Sequence, residues 1–179
     1  MKRSLLVTIH MYLSAFFAPF IFLVAISGGL YLVGVKGVVE QTLVFSSSDR
    51  LIDSQSSQLE DDVRALLATA GVSDYDFEYV KAKGNKLYTR PTSKDHYIIR
   101  LRPYLQVFAA SPSPQATMIE LHKGHGPAVF KFVQQVFALG LLLIVGSGLW
   151  LGLSAKRVRP RILVVSAAGT AVFLLLLVL

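Results

Sequence analysis

The sequence predicts a helical membrane protein carrying one small extracytoplasmic α+β domain, and three observations predict it. Hydrophobic residues make up 53% of the 179 and mean hydropathy is +0.54, too apolar for an ordinary soluble domain of this length. Three apolar stretches each reach the roughly 18–20 residues that cross about 30 Å of hydrocarbon as a helix. The only segment of soluble composition lies between the first two of them, and it holds all 11 acidic residues.

Charge placement supplies the orientation. From Lys36 to Gly126 the acids are matched by an equal number of Lys and Arg, so the net charge of +7 comes from Lys2, Arg3, Lys131, Lys156, Arg157, Arg159 and Arg161. All of these except Lys131 precede the first span or fill the short connector after the second, which is the positive-inside pattern. The sequence pI of about 9.8 therefore reports topology and predicts no nucleic-acid partner. With no cysteine, disulfides, thiolate metal sites, iron–sulfur clusters and C-x-x-C-H haem attachment are excluded. A metal or haem would have to be held by His, Met, Tyr or a carboxylate.

Residues 1–35 are predicted as the first transmembrane helix, a signal anchor with a cytoplasmic N-terminus, because the apolar region is too long for a cleaved signal and no small-x-small site follows it. Pro19 predicts a kink, and Ala25-x-x-x-Gly29 a flat face for helix contact. Residues 36–120 are predicted as the extracytoplasmic domain. Ser46 to Asp49 and Ser54 to Ser57 read as polar connections, and Ser57 with Glu60 as a capping box. Leu59, Val63, Leu66, Leu67 and Ala70 fall at helical spacing up to Gly71. Strand-like runs follow at Tyr75–Val80, Lys86–Arg90, His96–Leu101 and Tyr104–Ala109, with turns at Gly84-Asn85 and Pro91–Asp95. One helix on an antiparallel sheet of three or four strands is expected, with Ser111-Pro-Ser-Pro114 as a linker back to the bilayer.

Residues 121–154 comprise a pair of histidines and the second span, Phe132 to Leu153. Residues 155–161 form a basic cytoplasmic connector, and 162–179 a third span that would leave the C-terminus outside. A short pattern recurs in the first two spans: Ser27-Gly28-Gly29-Leu30-Tyr31-Leu32 and Ser147-Gly148-Leu149-Trp150-Leu151. Since the two helices cross in opposite senses, this is the form of an inverted repeat. Small residues and interfacial aromatics are also common packing devices in membrane helices, and Gly148-x-x-x-Gly152 can be one.

The four histidines are the candidate chemistry. His10 is an ionisable group inside a membrane segment, which marks a functional candidate, the alternative being a neutral imidazole bonded to a nearby Thr or carbonyl. At 1.5 Å per residue it lies roughly 10 Å along its helix from Arg3, level with Gly148 measured from Lys156. A histidine beside glycines is what a flat ring such as a porphyrin requires. His122 and His125 frame Lys123-Gly124 and can present two nitrogens to one metal, or can belong to a polar interfacial loop. His96 reads as a surface residue. Lys131, Gln134 and Gln135 read as snorkelling and helix-pairing groups.

Thr8-Ile9-His10-Met11-Tyr12-Leu13, Leu121-His122-Lys123-Gly124 and Ser147-Gly148-Leu149-Trp150, with a helix-plus-sheet segment between the spans, resemble the PepSY-associated transmembrane proteins. The resemblance covers nearly the whole chain. It implies a multi-pass protein of the bacterial inner membrane, related to ferric reductases that bind haem b between membrane helices. Carried over, it makes His10 and His122 the candidate haem ligands and ferric iron the substrate; His125, from the His-x-x-His spacing, is a third candidate ligand for haem iron or iron, and Gly28, Gly29 and Gly148 are the candidate residues against the face of the cofactor. The chain departs from larger members in having three spans and in carrying Arg102-Pro-Tyr-Leu-Gln106 where an Asp-x-x-Thr-Gly turn is usual. No flavin or nicotinamide fingerprint is present, so the electron donor would be another protein, a quinol or a diffusible flavin. Besides the bilayer, the expected partner is a second copy of the chain or another membrane protein. The alternative reading is a non-redox accessory subunit whose extracytoplasmic domain binds a partner.

Overall fold

The computed structural model describes residues 3–49 and 51–179; Lys2, half of the N-terminal basic pair used above to orient the first span, lies outside the described residues. The elements run α1 (Arg3–Leu32), β1 (Val39–Ser47), α2 (Leu59–Thr69), β2 (Tyr79–Lys83), β3 (Lys86–Arg90), β4 (His96–Arg100), β5 (Leu105–Pro112), α3 (Pro114–His122), α4 (Ala128–Ser154) and α5 (Arg159–Val178). Three of these helices, α1, α4 and α5, are long and apolar enough to cross a membrane. Helix α1 is continuous through Pro19. The chain divides into two compact units, Met1–Ile21 with Gln135–Leu179 and Phe22–Gln134, so each of the two longest helices contributes to both.

The unit Phe22–Gln134 contains the sheet, which is fully antiparallel and ordered β1-β5-β4-β3-β2. It has five strands where three or four were expected. The extra one, β1, pairs with β5 from Val39 opposite Pro112 to Ser47 opposite Leu105, with a register shift between Leu43 and Phe45. It takes in Ser46 and Ser47, which read as polar connection in the sequence. At the other edge the alternating run Tyr75 to Val80 is not all strand: β2 begins only at Tyr79, and the preceding loop folds Phe77 into the core. Gly84 turns the β2–β3 hairpin at φ 57°, a conformation open to glycine without strain.

Helix α2 covers one face of this sheet, and Val63, Leu66 and Leu67 interlock with Leu87, Ile99, Leu105 and Val107. Its helical spacing is as predicted and it ends before Gly71 at φ 81°. The capping box does not form: the N-cap is Gln58, with no side-chain cap bond. Three successive acids, Glu60, Asp61 and Asp62, occupy the first turn and favour the helix N-terminus by charge instead.

The expected linker Ser111–Pro114 is in fact a strand end joined to a helix start. β5 runs to Pro112, Ser113 caps α3 by accepting from the Ala116 N–H, and Pro114 takes the first helical turn. Gly37, at φ 72°, lies so close that a Cβ there would stand 2.5 Å from the Ala116 nitrogen. Helix α3 buries Ala116 and Ile119, and His96 and Ile98 are buried on the sheet face opposite α2. His96, expected at the surface, is 4% exposed for that reason. Helix α3 lies against β5 on this face, and a histidine beneath it meets no solvent.

In the unit Met1–Ile21 with Gln135–Leu179, α1 and α4 meet through aromatic rings and a glycine. Phe17 and Phe137 are buried, with ring centroids 5.8 Å apart, and Phe20 stacks on Phe137 at 5.5 Å. Gly140 is obligatory here, since any Cβ would collide with the Phe17 ring. Gly152 faces Ile162 of α5, and a Cβ there would approach it to 3.2 Å. No described residue of α5 is buried, as suits a helix whose surroundings are lipid.

Candidate functional site

Each of the two Ser-Gly steps holds one histidine, and the two contacts have the same construction. In the unit Phe22–Gln134, His122 Nδ1 lies 2.8 Å from Ser27 Oγ, and a Cβ on Gly28 would stand 3.3 Å from His122 Cε1. In the other unit, His10 Nδ1 lies 2.9 Å from Ser147 Oγ, and a Cβ on Gly148 would stand 3.2 Å from His10 Cε1. Serine supplies the polar partner, and the glycine after it lets the imidazole edge approach the helix backbone.

Each serine oxygen stands between an imidazole and a carbonyl of its own helix. Ser27 Oγ is 2.5 Å from the Leu23 carbonyl, and Ser147 Oγ 3.1 Å from the Ile144 carbonyl, a common back-bond of serines in apolar helices. A hydroxyl has one proton. In the tautomer where that proton goes to the carbonyl, the oxygen accepts from Nδ1–H and Nε2 keeps the lone pair; the opposite tautomer has the serine donating to Nδ1. No described residue bonds to Nε2 in either ring. An imidazole anchored through Nδ1–H with Nε2 bare is the state in which histidine ligates a metal.

Around His122 there is space. A cavity of about 220 Å³ is lined by Ser27, Gly28, Tyr31, Ile119, His122 and Lys123, and the His122 ring is exposed beyond its serine contact. Ser27 is 1% exposed. Gly29, the third glycine singled out in the sequence, faces open space, so no contact within the chain requires it.

The structure divides the His-x-x-His pair. His122 ends α3 and turns to Ser27, whereas His125, in the turn before α4, places Nδ1 2.7 Å from Glu120 Oε2. Glu120 is the hub of a second cluster: Lys123 Nζ is 2.6 Å from Oε1, the Thr92 hydroxyl donates to Oε2 at 2.6 Å, and Arg90 Nη1 stands 3.7 Å from Oε2. Burial alone would raise the Glu120 pKa, but the bonds from Lys123, Thr92 and His125 and the Lys123 charge hold it down at about 2. His96, bonded through Nδ1 to the Lys94 carbonyl, has its pKa lowered chiefly by burial. Among the described residues no three His, Cys, Asp or Glu side chains converge as a metal-binding group.

The groups at the mouth of α4 have structural partners. Lys131 pairs with Glu78 at 3.6 Å and lies over the Tyr79 ring, and Gln134 donates to the Leu121 carbonyl at the end of α3. Sequence reasoning picked out the glycines of both Ser-Gly steps but gave no role to the serines, although Ser27 and Ser147 are what orient the rings. It also missed Glu120, whose spacing of five residues from His125 carries no periodic signal.

No family model, no curated protein and no solved structure matches the chain.

Proposed function

We propose that this chain is a haem-b electron-transfer protein of a bacterial inner membrane, with its N-terminus in the cytoplasm, which passes electrons to ferric iron on the extracytoplasmic side. The observation that carries the reading is the repeated Ser-Gly/His contact: two imidazoles, in two helical settings, each held by Nδ1 and each presenting an unshared Nε2. His10 and His122 are the axial ligands in this reading. Haem held between two imidazoles supplies reversible one-electron transfer, because no coordination position remains for substrate. The chain's own part is to anchor the ligand imidazoles through Ser147 and Ser27 and to keep water away with apolar helices, which sets the potential. His125, bonded through Nδ1 to Glu120, buttresses the extracytoplasmic unit, apart from the two Ser-Gly contacts.

The unit that contains His10 contains no other histidine. A haem held by His10 and a second imidazole would draw that imidazole from another copy of the chain, so the functional form in this reading is a homodimer. The resemblance to PepSY-associated transmembrane proteins points to the same cofactor and the same substrate.

One observation favours a second reading. Gly28 and Gly148 are filled by the imidazole edges themselves, so the two Ser-Gly/His contacts also serve as joints between elements of a non-redox accessory subunit. The discriminating experiment is a dithionite-reduced minus oxidised absorbance spectrum of the full chain purified in mild detergent from haem-replete cells. A low-spin b-type spectrum that disappears in His10→Ala and His122→Ala supports electron transfer. A folded protein without such a spectrum favours the accessory subunit.

A further inference from the structure

The sheet face opposite α2 carries an excess of positive charge that, among the described residues, only the Arg90–Glu120 pair offsets. Residues paired across antiparallel strands point to the same side, and alternate residues share it. Lys83 of β2 stands opposite Lys86 of β3, and Lys86 opposite Arg100 of β4, so three cations form one cross-strand row. By alternation Lys81 and Arg90 lie on that face as well, while no strand residue sharing it is Asp or Glu. Like charges directly opposite each other destabilise a sheet unless a counter-charge lies over them.

This face, with Glu120 of α3 and Lys123 at the end of that helix, walls an open cleft of about 260 Å³ that is lined on the strand side by Lys83, Lys86, Tyr88 and Arg90. Glu120 carries one negative charge shared among Lys123, His125 and Arg90, so it leaves Lys83, Lys86 and Arg100 unmatched. Among the described residues Lys83 and Lys86 make no ion pair or side-chain hydrogen bond. The Arg90 side chain is 11% exposed, and its Nε is buried without a hydrogen-bond partner, a rare state for a guanidinium N–H.

We propose that this cleft is a binding site for a small polyanion, a molecule carrying two or more carboxylate or phosphate groups. One anionic group lies across Lys83 and Lys86, and another takes the Arg90 edge beside Tyr88. Glu120 serves as an internal counter-ion that keeps Arg90 and Lys123 in place. The inference stands on the extracytoplasmic unit alone and does not depend on the reading of His10 and His122.

The test is isothermal titration of the full-length protein with citrate and, separately, with inorganic phosphate, in nanodiscs of neutral phosphatidylcholine and again with phosphatidylglycerol added. The expected result is saturable one-to-one binding of citrate, tighter than phosphate and equal in both discs. It should weaken at least about tenfold in the double variant Lys83→Gln/Lys86→Gln and stay unchanged in Lys156→Gln. Thermal melting of the double variant checks folding, and it should melt at or above the parent temperature because the like-charge row is relieved. Absence of saturable binding to either anion, or equal affinity in the double variant, overturns the proposal. Citrate binding that is lost when phosphatidylglycerol is present assigns the face to lipid headgroups and overturns it too.

Discussion

The Nδ1 of His10 lies 2.9 Å from the Oγ of Ser147, and that oxygen also stands 3.1 Å from the Ile144 carbonyl one turn earlier. The same relation joins His122 to Ser27, whose oxygen also contacts the Leu23 carbonyl. The two pairs therefore do one job: each serine anchors one imidazole by its Nδ1 edge.

Replacing either serine tests that job. In Ser147→Ala the His10 Nδ1 loses its hydrogen-bond partner, at a cost of about 1–3 kcal/mol for an unsatisfied polar group. Haem affinity should also fall about 10–100-fold, the usual effect of removing the group that orients a ligand. Thermal melting and haem retention on gel filtration read the two effects. A Ser147→Ala protein unchanged in both would show that the contact does not orient the ring.

Two glycines of α4 should behave in opposite ways. A Cβ at Gly140 collides with Phe17, so Gly140→Ala should destabilise by about 1–3 kcal/mol through forced repacking. Gly146 has nothing within 4 Å of its would-be Cβ, so Gly146→Ala should be neutral or stabilise by up to about 1 kcal/mol through helix propensity. Unfolding in mixed micelles of both variants checks the pair. Equal losses would mean that the Phe17–Gly140 contact does not hold the two helices together.

Much of this was legible in the sequence. Apolar length alone marks α1, α4 and α5, and helical spacing marks the α2 face, because those signals are local. β1 was not legible, since its partners in β5 lie from 58 (Ser47 to Leu105) to 73 (Val39 to Pro112) residues away and Val39–Ser47 has no clean alternation of its own. α3 was hidden by Ser111-Pro-Ser-Pro114, where Ser113 and Pro114 are as good a helix start as they are a linker. His96 looked exposed because a short polar turn precedes it, and only the packing of α3 over that sheet face buries it. At the candidate site the pattern Ser-Gly was visible, but that each copy holds a histidine depends on contacts 95 and 137 residues apart.

Acid stability of the unit Phe22–Gln134 should fall in two steps. His96 has a folded pKa below its ordinary 6.5, so its neutral form is favoured by folding, and stability is lost as pH drops below about 6.5. Glu120 has a folded pKa of about 2 against an ordinary 4.5. It therefore contributes stability that is full above about 4.5 and is lost as pH falls toward 2, on the order of 3 kcal/mol in all. Melting temperature against pH should show both steps in the parent, only the lower one in His96→Asn and only the upper one in Glu120→Gln. A Glu120→Gln profile that still falls between pH 4.5 and pH 2 as steeply as the parent contradicts the assignment.

Orientation follows from charge. Reporter fusions placed at Ser57 and at Arg159 should report opposite compartments, the first extracytoplasmic and the second cytoplasmic. The same compartment for both would contradict a chain that crosses the bilayer with α1 and α4.

The central claim is that His10 and His122 offer free Nε2 atoms as axial ligands, and the measurement closest to it is near-infrared magnetic circular dichroism during titration of the purified protein with hemin. That signal identifies the pair of groups bound to low-spin ferric haem. The account predicts a bis-imidazole signature in the parent protein that is lost in the double variant His10→Ala/His122→Ala while the extracytoplasmic unit stays folded. A parent protein that takes up hemin without a bis-imidazole signature, or a double variant that keeps it, would contradict the account.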